Sequence, residues 1–239
     1  MVKLGVNLDH VATIRQQRYT PYPDMLTAIK ISEDSGADSI TMHLREDRRH
    51  IQFEDIKLAR KNIKTKLNLE MAATEEMCEI ANKIKPDFIC IVPEKRQELT
   101  TEGGLDVKKY FSSIKNVVRE LNDSNAIVSL FIEPDIDIIN LAKELNVGAI
   151  ELHTGKYAEA KTEDKKYYLD KIQEASAHAN DISLVVNAGH GLDYTNVKEI
   201  ARIKHINELN IGHSIIAESI FLGLSEAIKK MKNLIESTK

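Results

Sequence analysis

The sequence predicts an α/β fold in which eight parallel strands, each followed by a helix, close into a barrel. Three observations carry this expectation. Eight short, β-rich apolar runs recur along the chain. The stretches between them place apolar residues at three- and four-residue spacing, the period of a helix with one face turned inward. The 239 residues contain no Pro-rich linker and no low-complexity tract, so they suit one domain, 1–239, of the size α/β barrels adopt. Eight strand–helix units match a TIM (β/α)8 barrel, whereas a doubly wound open sheet more usually shows five or six strands.

The predicted strands, in order, are LGVN (4–7), SITMHL (39–44), KLNLEM (66–71), FICIV (88–92), AIVSLFI (126–132), AIELH (149–153), ISLVVN (182–187) and ELNIG (208–212). Each is short and rich in the β-branched and apolar residues that a strand covered on its outer face requires. Clear helical periods lie between them, at 23–36, 136–148 and 214–237 among others. Two helices run into Gly-Ala, at Gly36-Ala37 and Gly148-Ala149, where glycine is expected to supply a left-handed C-terminal cap. The charged stretch 159–171 reads as the start of a solvated helix.

Composition narrows the function. Hydrophobic residues at 42% and a mean hydropathy of −0.31 exclude a disordered chain and a helical membrane protein. A net charge of −4 argues against nucleic acid as a partner. No run of about 18 uncharged apolar residues exists to span a membrane, and the N-terminus lacks a signal-peptide pattern, so a cytoplasmic location is expected. Cys78 and Cys90 read as reduced core thiols.

In such a barrel the active site forms at the C-terminal ends of the strands, and here nearly every strand ends in polar residues. These are Asn7, Asp9 and His10 after strand 1, His43 and Arg45 after strand 2, Asn68 and Glu70 on strand 3, and Glu94 and Lys95 after strand 4. Glu133 follows strand 5, Glu151 and His153 lie on strand 6, Asn187 and His190 on or after strand 7, and Asn210, Gly212 and His213 on or after strand 8. Alternation puts Asn68 and Glu70 on one face, and burial there would raise the Glu70 pKa into a range useful for proton transfer near neutrality. Glu151 and His153 share a face by the same rule, within reach of one ligand or of each other.

Phosphate is the second theme. Gly189-His190-Gly191 and Gly212-His213-Ser214 follow strands 7 and 8, where barrels commonly bind phosphate through backbone N–H groups and a helix N-terminus. The loop HLREDRRH (43–50) offers Arg45 and His50 as anion partners, with Arg48 and Arg49 equally readable as a solvated face, and Arg18 adds a further cation.

Seven ordered blocks run from end to end: GVNLDHVATIRQQR (5–18), HLREDRRHI (43–51), NLEMAATEEM (68–77), VPEKRQELTTEGGLD (92–106), ELHTGKYA (151–158), VNAGHGL (186–192) and ELNIGHSII (208–216). On these blocks the chain resembles the pyridoxine 5′-phosphate synthase family of vitamin B6 biosynthesis. The resemblance implies condensation of 1-deoxy-D-xylulose 5-phosphate with 3-amino-2-oxopropyl phosphate through a Schiff base made by the substrate's own amine, with no cofactor and no metal. It assigns acid/base work to His43, Glu70 and His190, with Glu151 as an electrostatic and orienting group. It implies that Asn7, Arg18, Gly191, Gly212 and His213 hold the aminoketone phosphate. The sugar phosphate would meet Asp9, His10, Arg45, His50 and Thr100, and the stretch 100–104 would form a lid hinged at Gly103-Gly104. It also implies helices beyond the eight, one of them near the N-terminus closing the base of the barrel, and a homo-octamer.

Three other readings compete. A metal-dependent sugar-phosphate isomerase or epimerase would converge Asp9, His10, His43, Glu151 and His153 on a divalent ion. A class I aldolase would use Lys95 as the Schiff-base nucleophile. A non-catalytic metabolite-binding barrel would keep the phosphate loops and tolerate loss of Glu70.

Overall fold

Eight parallel strands close on themselves in sequence order: β1 (Lys3–Asn7), β2 (Ser39–His43), β3 (Lys66–Met71), β4 (Phe88–Ile91), β5 (Ile127–Ile132), β6 (Ala149–His153), β7 (Val185–Gly189) and β8 (Ile206–Ile211), with β8 pairing back onto β1. The structure is a computed structural model that describes residues 1–94, 103–121 and 125–238. Among the described residues, eight helices form the outer ring: α2 (Met25–Asp34), α3 (Phe53–Asn62), α4 (Glu75–Ile84), α5 (Val107–Leu121), α6 (Ile136–Glu144), α8 (Thr162–Asp181), α9 (Val197–Ala201) and α11 (Leu224–Glu236). The TIM barrel expected from the pattern is the fold observed.

Three additional helices, α1 (Asp9–Gln16), α7 (Gly155–Glu159) and α10 (His213–Leu222), directly follow β1, β6 and β8. They therefore sit at the C-terminal mouth of the barrel. This corrects the expectation of an N-terminal helix across the base: the described helix nearest the N-terminus is α1, and it lies at the mouth. Arg15 fastens α1 by a two-pronged bond to Asp55 (2.7 and 2.6 Å), and Asp55 also closes the capping box at the start of α3. Asp55 is buried and Arg15 half-buried, so the worth of the pair lies in geometry and mutual neutralisation.

Alternation along the strands divides two environments. Leu4, Val6, Ile40, Met42, Leu67, Leu69, Ile150 and Leu152 point outward into the apolar layer beneath the helices. The inward positions are largely polar, where barrels usually stack bulky aliphatic groups. Asn68 Nδ2 donates to Thr41 Oγ1 (3.2 Å), Thr41 Oγ1 to Asn210 Oδ1 (3.1 Å), and Asn210 Nδ2 to Glu151 Oε2 (2.5 Å). Strands β2, β8 and β6 are not neighbours in that chain of bonds, so their side chains meet across the barrel interior.

Local differences from the sequence reading have plain causes. The last-but-one strand begins three residues later than expected because α8 runs on to Asp181 and turns through Ser183 at φ +62°. Asn187 is consequently a mid-strand residue that accepts from Asn207 in the lower barrel, away from the mouth. Gly36 adopts φ +100°, the predicted left-handed cap, but at the second Gly-Ala junction Asn146 takes that role at φ +59°. Gly148 is needed for space instead, since a Cβ there would stand 3.1 Å from Ile127 Cγ2. Cys78 and Cys90 are buried and unbridged, as expected. Among the described residues no helix is long and apolar enough to cross a membrane.

Candidate active site

The strand ends enclose a cavity of about 700 Å³ lined by Asn7, Asp9, His10, His43, Arg45, His50, Glu70, Glu151, His153, His190, Gly191, Asn210, Gly212 and His213, together with Phe131, Gly103, Asp193, Ser214 and apolar neighbours. Most of the predicted residues therefore share one volume. Arg18 is exposed beyond the end of α1 and does not line it. Thr100 and Lys95 lie outside the described residues, as does most of the predicted lid. Of that stretch, Gly104 is pressed against backbone: a Cβ there would fall 2.4 Å from the Glu133 nitrogen, so its glycine serves close approach.

At the centre stands a carboxylate–imidazole cluster. Asp9 Oδ1 accepts the His43 backbone N–H (2.8 Å), and Asn7 Nδ2 reaches Asp9 Oδ2 (3.1 Å) and Glu70 Oε2 (3.4 Å). Glu70 Oε2 lies 3.9 Å from His43 Nδ1. Burial, reinforced by the nearby charges of Asp9 and Glu151, pushes the Glu70 carboxyl well above its ordinary range. Burial likewise lifts Glu151 to about 7, against the hydrogen bond from Asn210 and with help from Glu208. Asp9 is raised by burial too, with His43 pulling the other way. Three carboxyls in one wall, Asp9 and Glu151 buried and Glu70 half-buried, cannot all ionise cheaply.

Two carboxylates that the strand-end reading noted without assigning a task hold the imidazoles. Glu94 Oε1 meets His43 Nε2 at 2.8 Å while its Oε2 accepts the Glu46 N–H (2.9 Å). Burial opposes ionisation of Glu94, but His43, the Glu46 N–H and Arg45 outweigh it and hold the carboxyl below its usual value. Because ionised Glu94 can only accept, Nε2 of His43 carries the hydrogen and Nδ1 faces Glu70. Glu133 Oε1 meets His153 Nδ1 at 2.7 Å, so His153 and Glu151 serve different partners despite sharing a face. Gly189 makes room for the Glu151 carboxyl: a Cβ would be 2.4 Å from its Oε1.

The upper wall carries Arg45 and is rich in imidazole. His10 and His213 stack edge to face at 4.9 Å, and burial followed by the His213 charge lowers the His10 pKa. Burial, then His43 and Arg45, lowers His50 to about 4, and its Nδ1 accepts the Ile51 N–H. Arg48 pairs with Glu76 and Arg49 with Asp47, which Arg45 also meets (3.3 Å); beyond His43, Arg45 and His50 are the residues of that stretch that line the cavity. His190 and Gly191 both have positive φ (77° and 75°), and the Thr154 hydroxyl braces this turn at the Gly189 and His190 carbonyls. A positive φ on His190 is strain that the surrounding bonds hold in place.

The proposed five-residue metal set does not converge, since His10 faces His213, His153 faces Glu133 and Glu151 faces Asn210. Asp9, His43 and Glu70 do bring ligand atoms within 4.8 Å of one another. The Asn7 amide donates to both carboxylates of this set, to Asp9 at 3.1 Å and to Glu70 at 3.4 Å.

An eight-stranded barrel whose mouth gathers proton donors and acceptors beside two glycine turns defines the class: a TIM-barrel enzyme. The chain matches the family described as "Pyridoxal phosphate biosynthesis protein PdxJ" over residues 4–237, and it belongs to this family of pyridoxine 5′-phosphate synthases. It is 56% identical over 237 residues to the pyridoxine 5′-phosphate synthase of Prochlorococcus marinus strain MIT 9215, covering 99% of this chain and 100% of that one. The Legionella pneumophila strain Corby enzyme is 51% identical over 237 residues, 99% of this chain and 96% of its own. Among solved structures, thiamine phosphate pyrophosphorylase from Pyrococcus furiosus superposes with a TM-score of 0.62 at 12% identity over 99% of this chain and 96% of its own, a likeness of fold.

Proposed function

We propose that this cavity condenses 1-deoxy-D-xylulose 5-phosphate with 3-amino-2-oxopropyl phosphate to pyridoxine 5′-phosphate, inorganic phosphate and water. The observation that carries the reading is the Glu70–His43–Glu94 array, in which a carboxyl raised by burial stands 3.9 Å from Nδ1 of an imidazole whose Nε2 is held by Glu94. Such an array suits a reaction made almost wholly of proton transfers. The substrate amine attacks the ketone carbon of the sugar phosphate; Glu70 and His43 move the protons that carbinolamine formation and water loss require. Phosphate departure, hydration and ring closure follow, with His190 across the cavity as a further acid/base group and Glu151 countering positive charge on the imine nitrogen.

The phosphates have two supports. The first turn of α10 opens at Gly212-His213 with no acidic residue, beside Gly191, and favours one anion. Arg45, with His50 and His10, favours the other. Arg18 and Thr100 enter this scheme from the resemblance alone. The homo-octamer is likewise inferred from resemblance; exposed Ile220, Phe221 and Leu222 at the end of α10 are the kind of apolar surface that self-association covers. The test is to supply both substrates to purified protein and measure products. Equal amounts of pyridoxine 5′-phosphate and phosphate are expected, while metal-dependent isomerisation of either substrate alone would overturn the proposal.

A further inference from the structure

Behind His190 stands a buried pair that this scheme does not use. His153 has a side chain only 2% exposed, and its Nδ1 lies 2.7 Å from Glu133 Oε1. Glu133 also takes the Gly104 N–H (3.0 Å) and the Lys156 ammonium (2.8 Å). Burial alone would raise Glu133, but His153, Lys156 and Gly104 outweigh it and bring the carboxyl down to about 2. It is an anion at any working pH and can only accept, so Nδ1 of His153 carries a hydrogen. The other nitrogen, Nε2, is closed to solvent and meets no hydrogen-bonding partner among the described residues. A polar atom so placed has lost its water without gaining a partner, which calls for a reason.

The surroundings identify the group that can supply a partner. The His190 ring is centred 5.0 Å away at 53°, and Phe131 closes another side at 5.2 Å. Gly155 makes the remaining space: a Cβ there would come 2.5 Å from His153 Nε2 and 3.3 Å from His190 Cδ2. Water does not reach Nε2, so a donor must come from the wall itself, and the imidazole of His190 is the adjacent group that can swing one in.

We infer that His153 is a positioning residue for His190: Glu133 fixes its Nδ1–H tautomer, and its bare Nε2 takes an N–H of His190 when that ring turns. The inference rests on the acid/base role proposed above for His190. When the ring nitrogen of His190 that faces the cavity takes a proton from substrate, the N–H on its far side is held by His153 Nε2, and the positive charge is balanced through His153 by Glu133. No covalent bond is made or broken in this pair.

Two measurements test it. In protein labelled with nitrogen-15 histidine, His153 should be protonated at Nδ1 and bare at Nε2 near neutral pH, and Glu133→Gln should mix the tautomers. A His153 protonated at Nε2 in the wild type would overturn the inference, and this readout needs no substrate, so it stands even if the proposed reaction is wrong. In turnover, His153→Phe keeps ring and volume, His153→Asn keeps a group opposite Glu133, and both lack an acceptor at the Nε2 position. Each should lower kcat by on the order of 10²-fold with KM within about twofold, and His153→Gln, which restores an acceptor there, should recover at least about tenfold of that loss. Wild-type kcat in His153→Phe would reduce His153 to packing and overturn the assignment.

Discussion

Replacing Glu151 by Gln should stabilise the protein, and more so as pH rises. Burial lifts the Glu151 carboxyl from 4.5 to about 7 in the folded chain. A raised pKa means that the folded state binds this proton more tightly than the unfolded state does. The associated stability is complete below about pH 4.5 and is lost as pH climbs through 7. At about 1.4 kcal/mol for each pH unit, full ionisation costs the fold about 3 kcal/mol. Gln has the same shape, accepts the Asn210 Nδ2–H through its own oxygen, and cannot ionise. Its advantage over the wild type should therefore grow by about 2 kcal/mol between roughly pH 5.5 and 8.5, as read by urea unfolding at each pH. An equal advantage at both pH values would refute a buried, proton-storing Glu151. The same variant should lose activity, because the site keeps a costly carboxyl for function.

Other substitutions probe separate links. Glu94→Gln leaves one acceptor for two donors, His43 and the Glu46 N–H, and should cut kcat by about 10²-fold or more with modest change in KM in a phosphate-release assay. Gly189→Ala drives a Cβ to within 2.4 Å of Glu151 Oε1, so turnover should fall while circular dichroism stays near wild type. Arg15→Ala strands Asp55 as a buried charge and should cost about 3 kcal/mol in chemical denaturation.

The barrel was legible because strand periods and helix periods alternate with little noise, and seven strands begin within two residues of their predicted starts. The seventh slipped because α8 and the apolar Ile182–Leu184 turn share a hydrophobic run that composition alone cannot divide. Strand ends also named the cavity well, since in a parallel barrel every one of them points to the same mouth. What the sequence withheld was pairing: that Glu94 serves His43, that Glu133 serves His153 and that Asn210 serves Glu151 depends on contacts across the barrel and between loops. Arg18 and Arg45 look equivalent as isolated cations, and only the fold separates an exposed helix end from the cavity wall. The polar barrel interior was partly visible in Asn68 and Asn210, but the hydrogen-bonded run through Thr41 required knowing which strands face one another.

The central claim is that Glu70 is held as a buried proton carrier beside His43. Its most direct measurement is Glu70→Gln, with binding of each proposed substrate followed by calorimetry and phosphate release followed in a single turnover. Binding close to wild type with chemistry slowed by on the order of 10²–10⁴ is the predicted result. Phosphate release at the wild-type rate would contradict it.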